Sequence, residues 1–444
     1  MLASHLYIWV PGTLLHQSVR LSFCNLQTRG IFRHLHTPKS TIMSDNDRVV
    51  IIGAGIVGSS LAKHLSLLHV PVTLLDRSLS TTLPGSTGLA PGFVGHVNEL
   101  PTLTELAKRS VEDYKTIPGG FAQVGGLEVA YTPEAVEVLN HRLGLATKYG
   151  LPARRITAEE ARALNPAFVK DDVLAGLFFE SDGTAAAPTI ALHDRSVASS
   201  LGAKMVEGDV KELVTEHGRV IGVKTTAGFI PANKVIVTTG IWTRQLLPDL
   251  PVHPVGHPYS HSAERPPRSN PSPFVRWPEN HVYGRDHGTY DGIGSYDHPA
   301  VSVDASELSE SARGEWQGIF EDVLRRAYDH CPSAGDGGAV WKDAKPFNGL
   351  FSMTPDNLPF VGRVRGDDRD PSSGIWCAVA VWVTSAGGVA QLLAKVMVEG
   401  KDSLSEVERG MLRDLDPRRF EGQDQGALKA TSLRAYNNIY NRDD

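Results

Sequence analysis

The sequence predicts a mixed α/β fold, and three observations carry that expectation. Val49-Val50-Ile51-Ile52 is a continuous β-branched run closed by glycine, the pattern of a central parallel strand buried on both faces. A helical pattern over 56–67 and a second apolar run, Val72-Thr73-Leu74-Leu75-Asp76, complete a strand–helix–strand crossover, which is nearly always right-handed. Short strand and helix patterns then alternate from 121 to 180. The 444 residues are long for one core, so two or three domains are expected, interleaving included.

The remaining elements follow in order. Gly85 to Gly92 reads as a glycine-rich loop, followed by a helix near 103–114. Thr157-Ala158-Glu159-Glu160 has a hydroxyl at the first position and a carboxylate three residues on, the signature of a capped helix start. Strands with turns occupy 205–240, and Gly292-Ile293-Gly294-Ser295-Tyr296 is strand-like within a stretch rich in Pro, His and aromatics. A helix is expected over 306–330, a strand near Trp376 to Val383, and a last helix from about Gly388 to Glu399. The charged tail after Gly400 is expected to wrap the surface.

Composition excludes several classes. A formal charge of -6 argues against nucleic-acid binding, which wants a basic excess. Cys24, Cys331 and Cys377 form no CxxC and no paired framework, so a disulfide scaffold or zinc cluster is not expected, and a reducing compartment fits. No apolar run approaches the ~18 residues of a membrane span. The first 44 residues contain no Asp or Glu but four basic residues, the pattern of a mitochondrial presequence. Met43 is the alternative start. Translation from Met1 predicts a mitochondrial protein, and translation from Met43 a cytoplasmic one.

Gly53-Ala54-Gly55-Ile56-Val57-Gly58 is the central motif. A strand precedes it, a helix follows, and the next strand ends in Asp76, 18 residues after Gly58. Gly53 permits the tight turn, Gly55 lets the backbone approach a pyrophosphate, and Gly58 lets helix and strand pack closely. The helix N-terminus offers N–H groups and partial positive charge to phosphates. Asp76, followed by Arg77, would accept from ribose hydroxyls. This is a Rossmann-like dinucleotide site, and the motif alone does not separate NAD from FAD. A structural glycine turn without ligand is the alternative.

Further segments resemble the FAD-dependent glycine/D-amino-acid oxidase superfamily, most nearly the oxidase half of dimethylglycine oxidase and the dimethylglycine and sarcosine dehydrogenases. They include Gly85-Ser86-Thr87, Val124 to Ala130, Ser181-Asp182-Gly183, Gly256-His257-Pro258-Tyr259, Tyr283 to Gly288, Phe347 to Asp356 and Ala380 to Thr384. The resemblance implies an FAD-binding domain (47–120, 181–250, 346–400) interleaved with a mixed-sheet substrate domain (121–180, 251–345), with 1–46 as a presequence or over-extended N-terminus and 401–444 as a tail. It implies oxidation of an amine C–H by flavin, an imine that water hydrolyses, and oxygen or an electron-transfer protein as acceptor. Two departures stand out. Leu89 occupies the place of the histidine that carries covalent flavin in these relatives, and Asn348-Gly349-Leu350-Phe351 lacks the cysteine that other relatives use, so FAD is expected to be non-covalent. The family's folate-binding half does not follow within this chain, so folate coupling is not expected.

Amine oxidation needs a neutral nitrogen, which aromatic walls and a nearby tyrosine or histidine favour. His257 and Tyr259 alternate on a strand and face one side. Each is either a catalytic candidate or a satisfied polar residue of that strand. Arg285 is read as a carboxylate clamp or a surface ion pair, with Tyr283 and Tyr296 as further lining candidates. Trp382 either borders the flavin or is plain core. Ser86, Thr87, Leu89, Gly240, Asp356, Val383 and Thr384 are the remaining expected cofactor contacts, and the helix after Thr384 could polarise the ring's carbonyl oxygen through its N-terminus. No metal is expected. The leading expectation is oxidation of a secondary or tertiary amine resembling an N-methyl amino acid. Oxidation of D-amino acids or of a specialised metabolite, flavin binding without turnover, and an NAD-dependent dehydrogenase remain as alternatives.

Overall fold

Strand β1 (Val49–Ile52) is buried at all four residues, as its unbroken β-branched run requires. It continues through the glycine turn into helix α1 (Ile56–Leu67) and strand β2 (Val72–Asp76). β1 pairs in parallel with β2 on one side and with Lys234–Val237 on the other. The full sheet runs Phe360–Arg365, Gly374–Val379, Lys234–Val237, β1, β2, Lys204–Glu207, parallel throughout except for the first pair. Side chains alternate between its faces. Ile51, Leu74 and Ile236 join one core with helices α1 and Ala386–Glu399, while Val50, Ile52, Leu75 and Val235 join another beneath the Val210–Pro231 meander. The computed structural model describes residues 48–332, 341–366 and 373–439, all within the unit Met43–Asp444. The expected presequence and the Met43 start lie outside the described residues. No described helix is long and apolar enough to cross a membrane.

The second sheet draws on other stretches of chain. Its order is Arg313–Gly314, Lys345–Met353, His253–His261, Asp291–Ser295, Val282–Asp286, Phe274–Trp277, Gly126–Ala130, Ala175–Phe179, Ala153–Thr157, with Val301–Ser302 paired to the third of these. It is mixed: Phe274–Trp277 and Gly126–Ala130 run parallel, and the other pairs run antiparallel. The expected capping box at Thr157 is present, with Thr157 accepting from the Glu160 N–H.

Three expectations about elements are corrected. The strand near Trp376 ends at Val379, because Ala380 takes the left-handed conformation (φ 56°) and Val383–Ser385 forms a 3-10 turn. The helix expected over 306–330 is confined to Ile319–Tyr328. The tail does not merely wrap the surface: it folds into helices Glu406–Asp414 and Gln425–Asn437, and the second buries Leu428, Ser432 and Tyr436 along one stripe. In addition, Lys345–Met353 belongs wholly to the large sheet, so the expected boundary at 346 falls inside a strand of that sheet.

A buried ion cluster fixes three helices to one another. Lys63 on α1 lies 2.8 Å from Asp113 and 2.9 Å from Asp194, and Ser60 also donates to Asp194. Burial works against the Asp113 carboxylate, but hydrogen bonds from His64 and Lys63 outweigh it and hold its pKa below the usual range. Two carboxylates facing one ammonium satisfy charges that the core could not otherwise hold.

A cavity between the glycine turn and the large sheet

A cavity of about 930 Å³ extends from the glycine turn to the large sheet. At its first end, the glycines are required by contact as much as by conformation. Gly53 has φ 103°, and a Cβ there would stand 2.6 Å from the Thr238 carbonyl oxygen. A Cβ on Gly58 would stand 1.8 Å from the Gly53 carbonyl oxygen, so the start of α1 lies directly on the turn. At Gly55 it would meet Thr87 Oγ1 at 3.0 Å, and that same oxygen accepts from the Ile56 N–H at 3.1 Å. Arg195 donates to the Ala54 carbonyl from two nitrogens and secures the turn from behind. Asp76 accepts from the Ala54 N–H at 2.6 Å and from the Ser78 N–H at 2.9 Å, and a carboxylate keeps acceptor capacity beyond two bonds. Arg77 stacks on Trp242 at 4.4 Å, forming a side wall.

At the other end, His257, Tyr259, Tyr283, Arg276, Phe347 and Phe351 line the cavity from the large sheet, together with Tyr296 just past its Asp291–Ser295 strand and Trp382. His257 Nε2 lies 2.6 Å from the Tyr283 hydroxyl, and its Nδ1 lies 2.7 Å from the Tyr436 hydroxyl. Tyr259 Oη is 2.8 Å from His287 Nε2. Burial pushes the His257 pKa far down, with His298 adding to the effect. His287 is pushed down to about 2 by burial, then by Arg285 and His261. Burial pushes the Tyr259 phenol well up. These side chains are therefore neutral near pH 7, in a setting that penalises charge.

Residues 48–396 match the family described as FAD dependent oxidoreductase. The chain belongs to this family. It is 27% identical to mitochondrial dimethylglycine dehydrogenase of Rattus norvegicus over 410 residues, covering 86% of this chain and 46% of the relative. It is 25% identical to 4-methylaminobutanoate oxidase (formaldehyde-forming) of Paenarthrobacter nicotinovorans, covering 88% of this chain and 48% of the relative. The chain thus spans about half the length of the curated relatives it matches. Among solved structures it superposes on L-proline dehydrogenase from P. horikoshii with a TM-score of 0.71 at 23% identity, covering 86% of this chain and 100% of that one.

FAD is the cofactor that the family implies, and the first end of the cavity fits it. Gly55 brings no side-chain cap to α1; Thr87 Oγ1 takes the Ile56 N–H, and the rest of the first turn meets the cavity as backbone beside close-packed glycines. Gly53, Gly55, Ile56, Val57, Asp76, Arg77, Ser86, Thr87, Leu89, Gly240, Val383 and Thr384 all line the cavity. Ala54 and Gly58 stand behind the wall, where Gly58 sets the packing distance. Four expectations change. Asp356 is not at the cavity: it forms a bidentate pair with Arg419 and accepts from the Leu358 N–H. Arg285 is also absent from the lining and is no surface ion pair: it donates to the Pro91 carbonyl at 2.5 Å and ties the Ser86–Gly92 segment to the large sheet. The first N–H groups of helix Ala386–Glu399 go to Tyr114 and Ser110, so that helix start is capped by its neighbour, and only the preceding 3-10 turn reaches the cavity. Trp382 is 38% exposed and lines the cavity, so it is not core.

Arg276 and Tyr436 were missed by the sequence reading, although each left a trace. In Phe274-Val275-Arg276-Trp277, Val275 and Trp277 enter one core cluster, which puts Arg276 on the opposite face. Leu428, Ser432 and Tyr436 recur at i, i+4 and i+8, the stripe of a helix with a buried side.

Proposed function

We propose that the protein oxidises a secondary or tertiary amine, an N-methyl amino acid being the substrate class, with FAD held non-covalently. One observation carries this reading: the cavity that begins at the glycine turn ends in a neutral aromatic enclosure with one guanidinium, Arg276, at its wall. Bound FAD would supply the acceptor for the hydride of an amine C–H, which carries both electrons of the oxidation. Tyr259, Tyr283 and Tyr296 exclude water and disfavour the ammonium form. Arg276 lies 3.6 Å from Glu128 and over the Phe274 ring, and its guanidinium at the cavity wall is the positive charge that a substrate carboxylate would meet. The imine is released to hydrolysis, giving formaldehyde from an N-methyl group. Oxygen or an electron-transfer protein takes the electrons afterwards.

Non-covalent attachment is supported by the lining itself. Leu89 offers no nucleophile, no cysteine lines the cavity among the described residues, and both nitrogens of His257 already have tyrosine partners. Acid precipitation should leave the yellow colour in the supernatant; colour retained in the pellet would refute this. The mitochondrial relative and the acid-poor first 44 residues support import of the product that starts at Met1. The deciding experiment is anaerobic mixing of the FAD-loaded protein with sarcosine, dimethylglycine, 4-methylaminobutanoate, cyclic N-methyl amines and D-amino acids. Bleaching of the flavin by an N-methyl amino acid is expected, and no bleaching by any amine sinks the proposal.

A further inference from the structure

The face of the large sheet that meets the cavity is charged at one edge and apolar at the other. Arg276 pairs with Tyr283, Tyr283 with Gly294, Gly294 with Tyr259 and Tyr259 with Phe347, so one row crosses five antiparallel strands with its side chains on one face. A Cβ on Gly294 would stand 2.6 Å from Tyr283 Oη and 2.7 Å from Tyr259 Cδ2, so the two tyrosines close over the glycine. Two residues further along the same face come Tyr296 and His257, with ring centroids 4.4 Å apart. Phe351 lies 5.7 Å from His257, and Trp382 meets Phe351 edge-on at 6.2 Å. Ile439 completes this end: it lines the cavity and packs with Tyr296 and Phe351 on one apolar cluster. Its position is fixed by the residues before it. Asn437 Nδ2 donates to the Tyr296 and His298 carbonyls at 3.1 and 2.7 Å, and Asn357 Nδ2 donates to the Ala435 carbonyl at 3.2 Å. Among the described residues, Arg276 is the one cavity-lining Lys, Arg, Asp or Glu that the large sheet carries.

We propose that Tyr296, Phe351, Trp382 and Ile439 form a subsite for an apolar N-substituent, and that Ile439 sets the size it accepts. The substrate is then a tertiary amine: an amino acid whose nitrogen carries the methyl group to be oxidised and a second, larger alkyl or aryl group. This rests on the amine-oxidation reading, with Arg276 as partner of the carboxylate. The strands of Arg276 and Phe351 lie four spacings apart, about 19 Å at about 4.8 Å each. An amino acid with its carboxylate at Arg276 and its nitrogen beside Tyr283 covers the charged side of that span. A second methyl group leaves the rings of the other side wet, whereas a longer substituent removes both itself and those rings from water. Each methylene that enters strengthens binding roughly 4-fold. The gain stops where the chain meets Ile439, because a packed wall resists further volume. Ile439 is a specificity-determining residue and takes no part in the chemistry.

The test uses the FAD-loaded full chain, with Ile439→Ala to lengthen the subsite and Ile439→Trp to shorten it. Straight-chain carboxylates from acetate to octanoate have no amine to oxidise, and their binding is read from the visible spectrum of the bound flavin. In the parent protein, affinity should rise roughly 4-fold per methylene and then level off. The plateau should come at a longer chain in Ile439→Ala and at a shorter one in Ile439→Trp. Anaerobic flavin reduction by N-methyl-N-alkylglycines, with alkyl from methyl to hexyl, should follow the same order. The preference for hexyl over methyl should differ between the two variants by roughly 10-fold or more. One chain-length profile shared by all three proteins, or an equal loss at every length, would overturn the subsite. Shifted carboxylate profiles without flavin reduction by any amine would uphold the subsite and place the fault in the amine-oxidation reading.

Discussion

Replacing Gly58 by alanine tests the cofactor end most directly. The added methyl would lie 1.8 Å from the Gly53 carbonyl oxygen and 2.5 Å from Thr238 Oγ1. Ordinary contacts lie at about 3.5 Å, so the start of α1 would have to retreat by roughly 1.7 Å. The first obstacle is backbone in the turn itself, so no flexible side chain can yield instead. Overpacking of this kind costs about 1–3 kcal/mol of stability. The displacement also withdraws N–H groups from the phosphates, and losing one charge-assisted hydrogen bond of about 1.5–3 kcal/mol weakens binding roughly 10- to 100-fold. The assay is titration of apoprotein with FAD, followed by quenching of flavin fluorescence. Gly144→Ala is the control: it lies in helix Pro133–Lys148 with nothing within 4 Å of the added atom, and it should leave FAD affinity unchanged while gaining up to about 1 kcal/mol of helix stability. Equal FAD affinity for Gly58→Ala and the parent protein would refute the close-packing argument.

Three further outcomes follow from the same structure. Arg276→Met should raise KM for carboxylate-bearing amines by roughly 10-fold or more while leaving amines without a carboxylate unaffected; a uniform effect on both would rule out a clamp. Lys63→Met leaves Asp113 and Asp194 buried without their cation and should cost about 3–5 kcal/mol in denaturant unfolding, with a loss under 1 kcal/mol counting against the cluster's structural role. Burial acts to raise the Glu408 carboxyl, but bonds from Lys395, the Ser405 N–H and Arg109 outweigh it and hold the pKa at about 2. The stabilisation is therefore full above the unfolded value near 4.5 and disappears as pH falls toward about 2. Glu408→Gln should flatten unfolding stability across that window, and an unchanged pH slope would disprove the assignment.

The sequence made the nucleotide end legible because its requirements are local. A glycine that must turn and a glycine that must touch fall within 53–58 and pack as spacing predicts, and the acid at the end of the next strand, Asp76, stands at the cavity. His257 and Tyr259 were legible for the same reason, since alternation on one strand fixes their common face. Arg285 was not: its side chain is drawn to the Pro91 carbonyl by a loop nearly 200 residues away, a contact that no local pattern encodes. Asp356 failed likewise, because its partner Arg419 lies in a stretch read as tail. Tyr436 hid in that stretch too, where three buried residues spaced four apart, one of them a serine, make too thin an apolar stripe to stand out.

The cavity wall draws on residues from Ile52 to Ile439. No contiguous half of the described chain encloses the site, and both sheets must pair across long sequence separations before the walls meet. Such topologies fold slowly, because distant segments must find one another before their contacts stabilise them. A cofactor that bridges both ends would bind only the finished architecture, and by mass action it would stabilise the whole chain rather than one domain. Cofactor supply during synthesis would then govern how much of the protein escapes degradation, well before it governs how fast the enzyme turns over.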